Sequence, residues 1–224
     1  MNRGRPALPV RAVGFNLARV QLGSMDADEL RETVVADNAS DLALLGSPDL
    51  LVSLSEGDPN PDTLLSAAGN SEHAARETFR AWADDAVDAT LARTYESVAA
   101  QENDHHRRVR AALDGDSEFG PPEQAGPMHA YLRGRDDPIH RIAGGMVGRT
   151  LVSLRTHDRL IDFFAADPER VRLFRDLREE TADCLDDGLA ALDARATADD
   201  WKAAQAVAGY TIQLASDDLR DGLR

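Results

Sequence analysis

Apolar residues in this chain recur at steps of three and four, and no stretch sustains a period-two alternation, which predicts helices and no sheet. From Asp26, the run DADELRETVVADN predicts a short helix with acids in its first turn. Two brief apolar runs, residues 42–45 and 50–54, are broken by Gly46-Ser47-Pro48 and are expected to be one-turn helices or caps over an end of a bundle. Asn60-Pro61-Asp62 starts helix A, which runs to residue 82 or beyond, and helix B follows over residues 88–113. Residues 114–127 hold three prolines and three glycines and break the pattern; residues 128–133 form a helical turn. Asp137-Pro138 opens helix C, to about residue 166, and Asp167-Pro168 opens helix D, to about residue 194. A last helix starts near Asp199 and runs towards Leu219. Short A–B and C–D connections around a long B–C connection predict an all-α four-helix bundle with one crossover. Three regions result: an arm over 1–24, a short helical cap over 25–58, and the bundle with its C-terminal helix over 59–224.

Two stripes are interrupted where an amphipathic helix should be apolar. Helix B presents Tyr95, Val98, Glu102, His105, Val109 and Ala112 on one face, so a carboxylate and an imidazole at i and i+3 point into the core. Burying them unpaired is costly. A shared metal ion would offset that cost, and so would a Glu–His hydrogen bond or a helix rotated towards water. Helix A carries a second interruption, Glu72, within Leu65, Ala68, Ala75, Phe79 and Trp82. Two neighbouring helices each sending an acid inward favour a common purpose.

These residues carry a resemblance. Glu72-His73-Ala74-Ala75-Arg76, followed by Phe79, Trp82 and Ala83, is similar to the first helix of the rubrerythrin branch of the ferritin-like superfamily. Glu102-Asn103-Asp104-His105 is similar to the Glu-x-x-His of its second helix, thirty residues after Glu72. The resemblance implies a ferritin-like bundle, iron as cofactor, and oxygen or peroxide as substrate. It covers residues 60–194 in architecture but only helices A and B in ligands. Helix C contains no Glu and offers Arg149, Thr150 or Ser153 at the expected depth; an inward Arg149 would repel a metal. Its inward stripe reads Ala143, Val147, Thr150, Leu154, His157, Ile161 and Phe164. Helix D has Glu180-x-x-Asp183 in place of Glu-x-x-His, with Glu180 at the margin of the apolar face and Asp183 pointing away. Glu72, Glu102 and His105 therefore form an expected half-site for one ion, with Glu180 and His157 as weaker candidates. No catalytic residue is assigned.

Other features are bland. His106, one residue from His105, turns away by about 100° and is expected to be solvated. Gly144-Gly145-Met146-Val147-Gly148 follows no strand and is expected to permit close helix packing rather than phosphate binding. Cys184 falls on an apolar stripe and reads as a small core residue.

Composition changes the picture in three ways. The chain carries 40 acidic against 25 basic residues, a net charge of −15, with 28 Asp, 12 Glu and a single lysine, Lys202. This resembles proteins of extreme halophiles, and it excludes the basic footprint that a nucleic-acid backbone requires. Residues 1–24 invert the balance, with four arginines and no acid, and are expected to be a disordered arm or the product of a misplaced start, Met25 being the natural one. The lone cysteine excludes an intramolecular disulfide and fits a cytoplasmic protein. It also excludes the Cys-ligated iron domain of full-length rubrerythrins, so a redox role implies a separate electron donor. A homodimer is the other expected partner, and no apolar run predicts a membrane span. Two functions stand side by side: iron, oxygen or peroxide handling at the half-site, or a metal-free helical interaction or regulatory module.

Overall fold

In a computed structural model, residues 25–113 and 126–224 are described, and every regular element among them is helical. The arm over 1–24 and most of the Pro- and Gly-rich segment, residues 114–125, lie outside the described residues. Three short helices come first: α1 (Ala27–Asp37), α2 (Ala39–Leu45) and α3 (Asp49–Leu54). The long hairpin α4 (Pro61–Asp85) and α5 (Ala89–Ala111) follows, then α6 (Pro127–Arg133) and α7 (Pro138–Arg141). A π-helical segment (Ile142–Gly148) joins α7 to α8 (Arg149–Phe163), and α9 (Pro168–Asp193) and α10 (Asp200–Gly222) complete the chain. Among the described residues no helix is long and apolar enough to cross a membrane.

Local chemistry explains the boundaries. The Asn60 side chain accepts from the Thr63 N–H while Thr63 accepts from the Asn60 N–H, a reciprocal cap that starts α4 together with Pro61. Asp88 and Asp167 accept from two backbone N–H groups each and start α5 and α9. The turn after α3 passes through positive φ at Glu56 and at Gly57, where glycine removes the steric penalty.

Four long elements face one another in antiparallel pairs. Along α4 and α5, Phe79 meets Tyr95 and Gly69 meets His106; along α8 and α9, His157 and Phe164 meet Phe174 while Arg178 meets Asp158. The hairpins close on each other where His105 meets Glu180 and Glu72 meets His157. Helix α10 packs on the π segment, and α1 and α2 lie on α10 with α8 and α9 beside them. Ala27, Leu30, Val34, Leu42, Leu45 and Leu50 join the same apolar cluster as Trp82, Tyr95 and Met146, so residues 25–58 share the main core.

The third long helix departs from the expected uninterrupted α-helix. All seven residues of the π segment are buried, and each turn there takes up an extra residue. A Cβ on Gly145 would lie 2.6 Å from the Trp82 ring, and one on Gly148 would lie 2.6 Å from the Ala208 carbonyl oxygen. The glycines admit an indole and a helix backbone where any side chain would clash.

Candidate metal centre

Glu72 comes from α4 and Glu102 and His105 from α5, and all three are buried. Each offers one donor atom lying within 4.8 Å of the others. His105 Nδ1 is 3.9 Å from Glu102 Oε2 and 4.0 Å from Glu72 Oε2. Those separations are too long for hydrogen bonds. Neither Glu102 Oε2 nor His105 Nδ1 has a hydrogen-bond partner, although both are buried.

The opposite ends of the same side chains are held. His105 Nε2 lies 2.8 Å from Glu180 Oε2, and Glu180 Oε1 accepts from Arg108 at 2.7 Å. Glu102 Oε1 accepts from Arg149 Nη2 at 2.9 Å. Glu72 Oε1 is 3.4 Å from His157 Nε2. With Nε2–H donated to Glu180, the lone pair of His105 sits on Nδ1 and faces two carboxyl oxygens. Nothing but a proton or a cation makes that juxtaposition favourable.

Burial dominates the electrostatics. It raises both carboxyls, Glu102 to about 8, with the Arg149 charge pulling Glu102 back and Glu72 pushing it further up. The carboxyls titrate as a coupled pair facing one guanidinium. Burial lowers His105 despite its neighbouring carboxylates, and lowers His157 to about 4. Glu180, half-exposed, is held below its ordinary value: its hydrogen bonds to Arg108 and His105 outweigh the largest single influence, its own desolvation.

The expected residues fall into two groups. Glu72, Glu102 and His105 converge, while Glu180 and His157 stand one contact further out, orienting His105 and Glu72. Arg149 does turn inward, as one of the two cases weighed for it, and pairs with Glu102 Oε1. Two expectations need correction. Helix C buries more than its expected stripe: Arg149, Leu151 and Val152 are buried beside Thr150, His157 and Phe164, while Leu154 and Ile161 are only partly so. His106 is not solvated: it is half-buried, with Nδ1 2.8 Å from the Gly69 carbonyl and its ring 5.6 Å from that of His73. Sequence reasoning did not single out His129, which is buried beside Thr78 and pushed down to about 3 by desolvation. The sequence signal for Arg149 was its place in the otherwise apolar and small run from Ile142 to Val152.

The donor set suits a divalent transition metal: one imidazole and two carboxylates, with the imidazole's second nitrogen on a carboxylate as metal-bound histidines usually have it. Among family models no match to this chain is found, and neither the curated proteins nor the solved structures give one.

Proposed function

We propose that this protein is a ferritin-like, rubrerythrin-type bundle that binds a single transition-metal ion, iron foremost, through Glu72, Glu102 and His105. The observation that carries the proposal is the pair of unpartnered buried atoms, Glu102 Oε2 and His105 Nδ1, converging with Glu72 on one point. Support for the bundle comes from the pairwise antiparallel order of α4, α5, α9 and α8, with the long connection between α5 and α8. Iron held there would supply one-electron chemistry towards oxygen or peroxide. The chain's own residues prepare the place: Glu180 takes the Nε2 proton and fixes the tautomer of His105, Arg149 occupies one oxygen of Glu102 and leaves the other free, and Phe79 and Phe174 help to exclude water. Holding a cation requires both carboxyls ionised, and burial raises both, so metal uptake is coupled to proton release.

A second reading has its own observation. Arg149 on Glu102 and His157 on Glu72 partly compensate the buried acids without a metal, which suits a metal-free interaction or regulatory module. Metal analysis after purification in concentrated salt, on the parent and on Glu102→Gln, separates the two. Near-stoichiometric iron or manganese in the parent and its loss in the variant support the metal centre. A metal-free parent that refuses added iron(II), with a more stable variant, leaves the module.

A further inference from the structure

We propose that Arg149 is a positioning residue that sets the charge of this centre, its fixed guanidinium holding a bound iron in the ferrous rather than the ferric state. The inference rests on the metal reading above and concerns which oxidation state the site favours once loaded.

The side chain is tethered at both ends. In the π segment the backbone N–H of Arg149 bonds to the Gly144 carbonyl and bypasses that of Gly145. The Arg149 Nε donates to the Gly145 carbonyl instead, at 3.0 Å. Its Nη2 reaches Glu102 Oε1, and its guanidinium lies 5.3 Å from the centre of the Phe79 ring. The residue is 2 % exposed. Arginine does not give up its proton in a protein, so this is a permanent charge with little water to screen it.

The charges around the donors can then be counted. Glu72 and Glu102 supply two negative charges on metal binding, and Arg149 supplies one positive. Glu180 lies at the partly exposed rim with Arg108, which also meets Asp104 and Asp176, where water screens their charges. His105 as a ligand and His157 are neutral, so among the buried groups one net negative charge remains. A divalent ion leaves the buried cluster with one positive charge, whereas a trivalent ion leaves two, confined beside aromatic rings. The second is far the costlier to bury. Removing the guanidinium lifts that bias, and it does so more for the trivalent ion because the repulsion scales with ionic charge.

The test compares the full-length parent with Arg149→Met, Arg149→Gln and Arg149→Lys, each loaded anaerobically with iron(II) and followed by the ferric signal during redox titration. Iron content and helical circular dichroism are scored first. In Arg149→Met and Arg149→Gln the ferric-to-ferrous ratio at a fixed potential should rise at least tenfold, a midpoint lower by about 59 mV or more. Arg149→Lys, which keeps the charge, should stay within about threefold of the parent. Arg149→Gln keeps a donor for Glu102 Oε1 and carries the measurement if the methionine variant does not fold. An unchanged or higher midpoint in the neutral variants overturns the inference, as does a lysine variant that falls as far as they do. A parent that takes up no iron fails at the first step, and there the metal reading itself is lost, with this inference.

Discussion

The two hairpins that face each other across the core are built from opposite chemistry. The α4–α5 hairpin sends acids and one imidazole inward, Glu72, Glu102 and His105, from helices that begin on firm side-chain caps at Asn60 and Asp88. The half formed by the π segment, α8 and α9 answers with bases and hydroxyls: Arg149, His157, Thr150 and Thr181. Its first helix opens on the Asp137 cap and runs on through the π segment into α8. Neither hairpin is electrically balanced alone. Charge compensation arises only on docking, so the polar contacts and the apolar core form together.

The harshest way to break this complementarity is to remove one partner. Glu102→Ala leaves Arg149 buried and uncompensated, and urea unfolding should register a loss of about 3–5 kcal/mol. Replacing both, Glu102→Leu with Arg149→Met, should recover much of that loss; a double variant as unstable as the single one would show that packing, not charge, links the halves. A purely steric attack on the basic half comes next. Gly148→Ala drives a methyl into the Ala208 carbonyl and should cost about 1–3 kcal/mol by the same measurement.

A third, gentler perturbation is pH. The folded pKa of Glu102 is raised, so the metal-free protein binds more protons than the unfolded chain above pH 4.5 and loses stability as pH climbs towards about 8. His157 and His129 are lowered, to about 4 and about 3, and oppose that trend only below pH 6.5, where stability falls as pH falls. Between pH 6.5 and 8 the acids act alone. Stability of the metal-free protein should drop by roughly 2 kcal/mol across that window, and Glu102→Gln should flatten the curve. The smallest effect lies outside the interface. Asn60→Ala removes the cap of α4 and should cost about 1 kcal/mol with the pH slope unchanged, which separates the hairpin's own stability from its dialogue with the other half.

How legible each half was in the sequence follows from the same contrast. The α4–α5 face could be read because its period is regular: acids at fixed steps within an apolar stripe declare themselves, and Asn60-Pro61 marks the start. On the other side, the buried face is wider than the regular stripe. Thr150, His157 and Phe164 of the projected stripe are buried, but that stripe places Leu154 and Ile161 too deep and misses Leu151 and Val152. Only the neighbours reveal the role of Arg149, because a guanidinium that repels a cation and one that pins a carboxylate look identical in a string of letters. Glu180 was readable as marginal, and its reach to His105 depends on the packing of α9 against α5.

The polar layer divides the apolar interior. Leu64, Leu65, Val109, Leu160, Phe174 and Leu177 form a cluster on one side of it, and Phe79, Trp82, Tyr95, Met146 and Leu185 belong to the larger cluster on the other. Leucine-rich surfaces tolerate sliding, since one turn of displacement exchanges one apolar contact for another of similar worth. A charged layer does not. Moved by one turn, about 5.4 Å, Glu102 would leave Arg149 for an apolar neighbour and both would be stranded. The cluster is therefore a register pin: it selects one alignment of the four helices among several that greasy packing alone would accept.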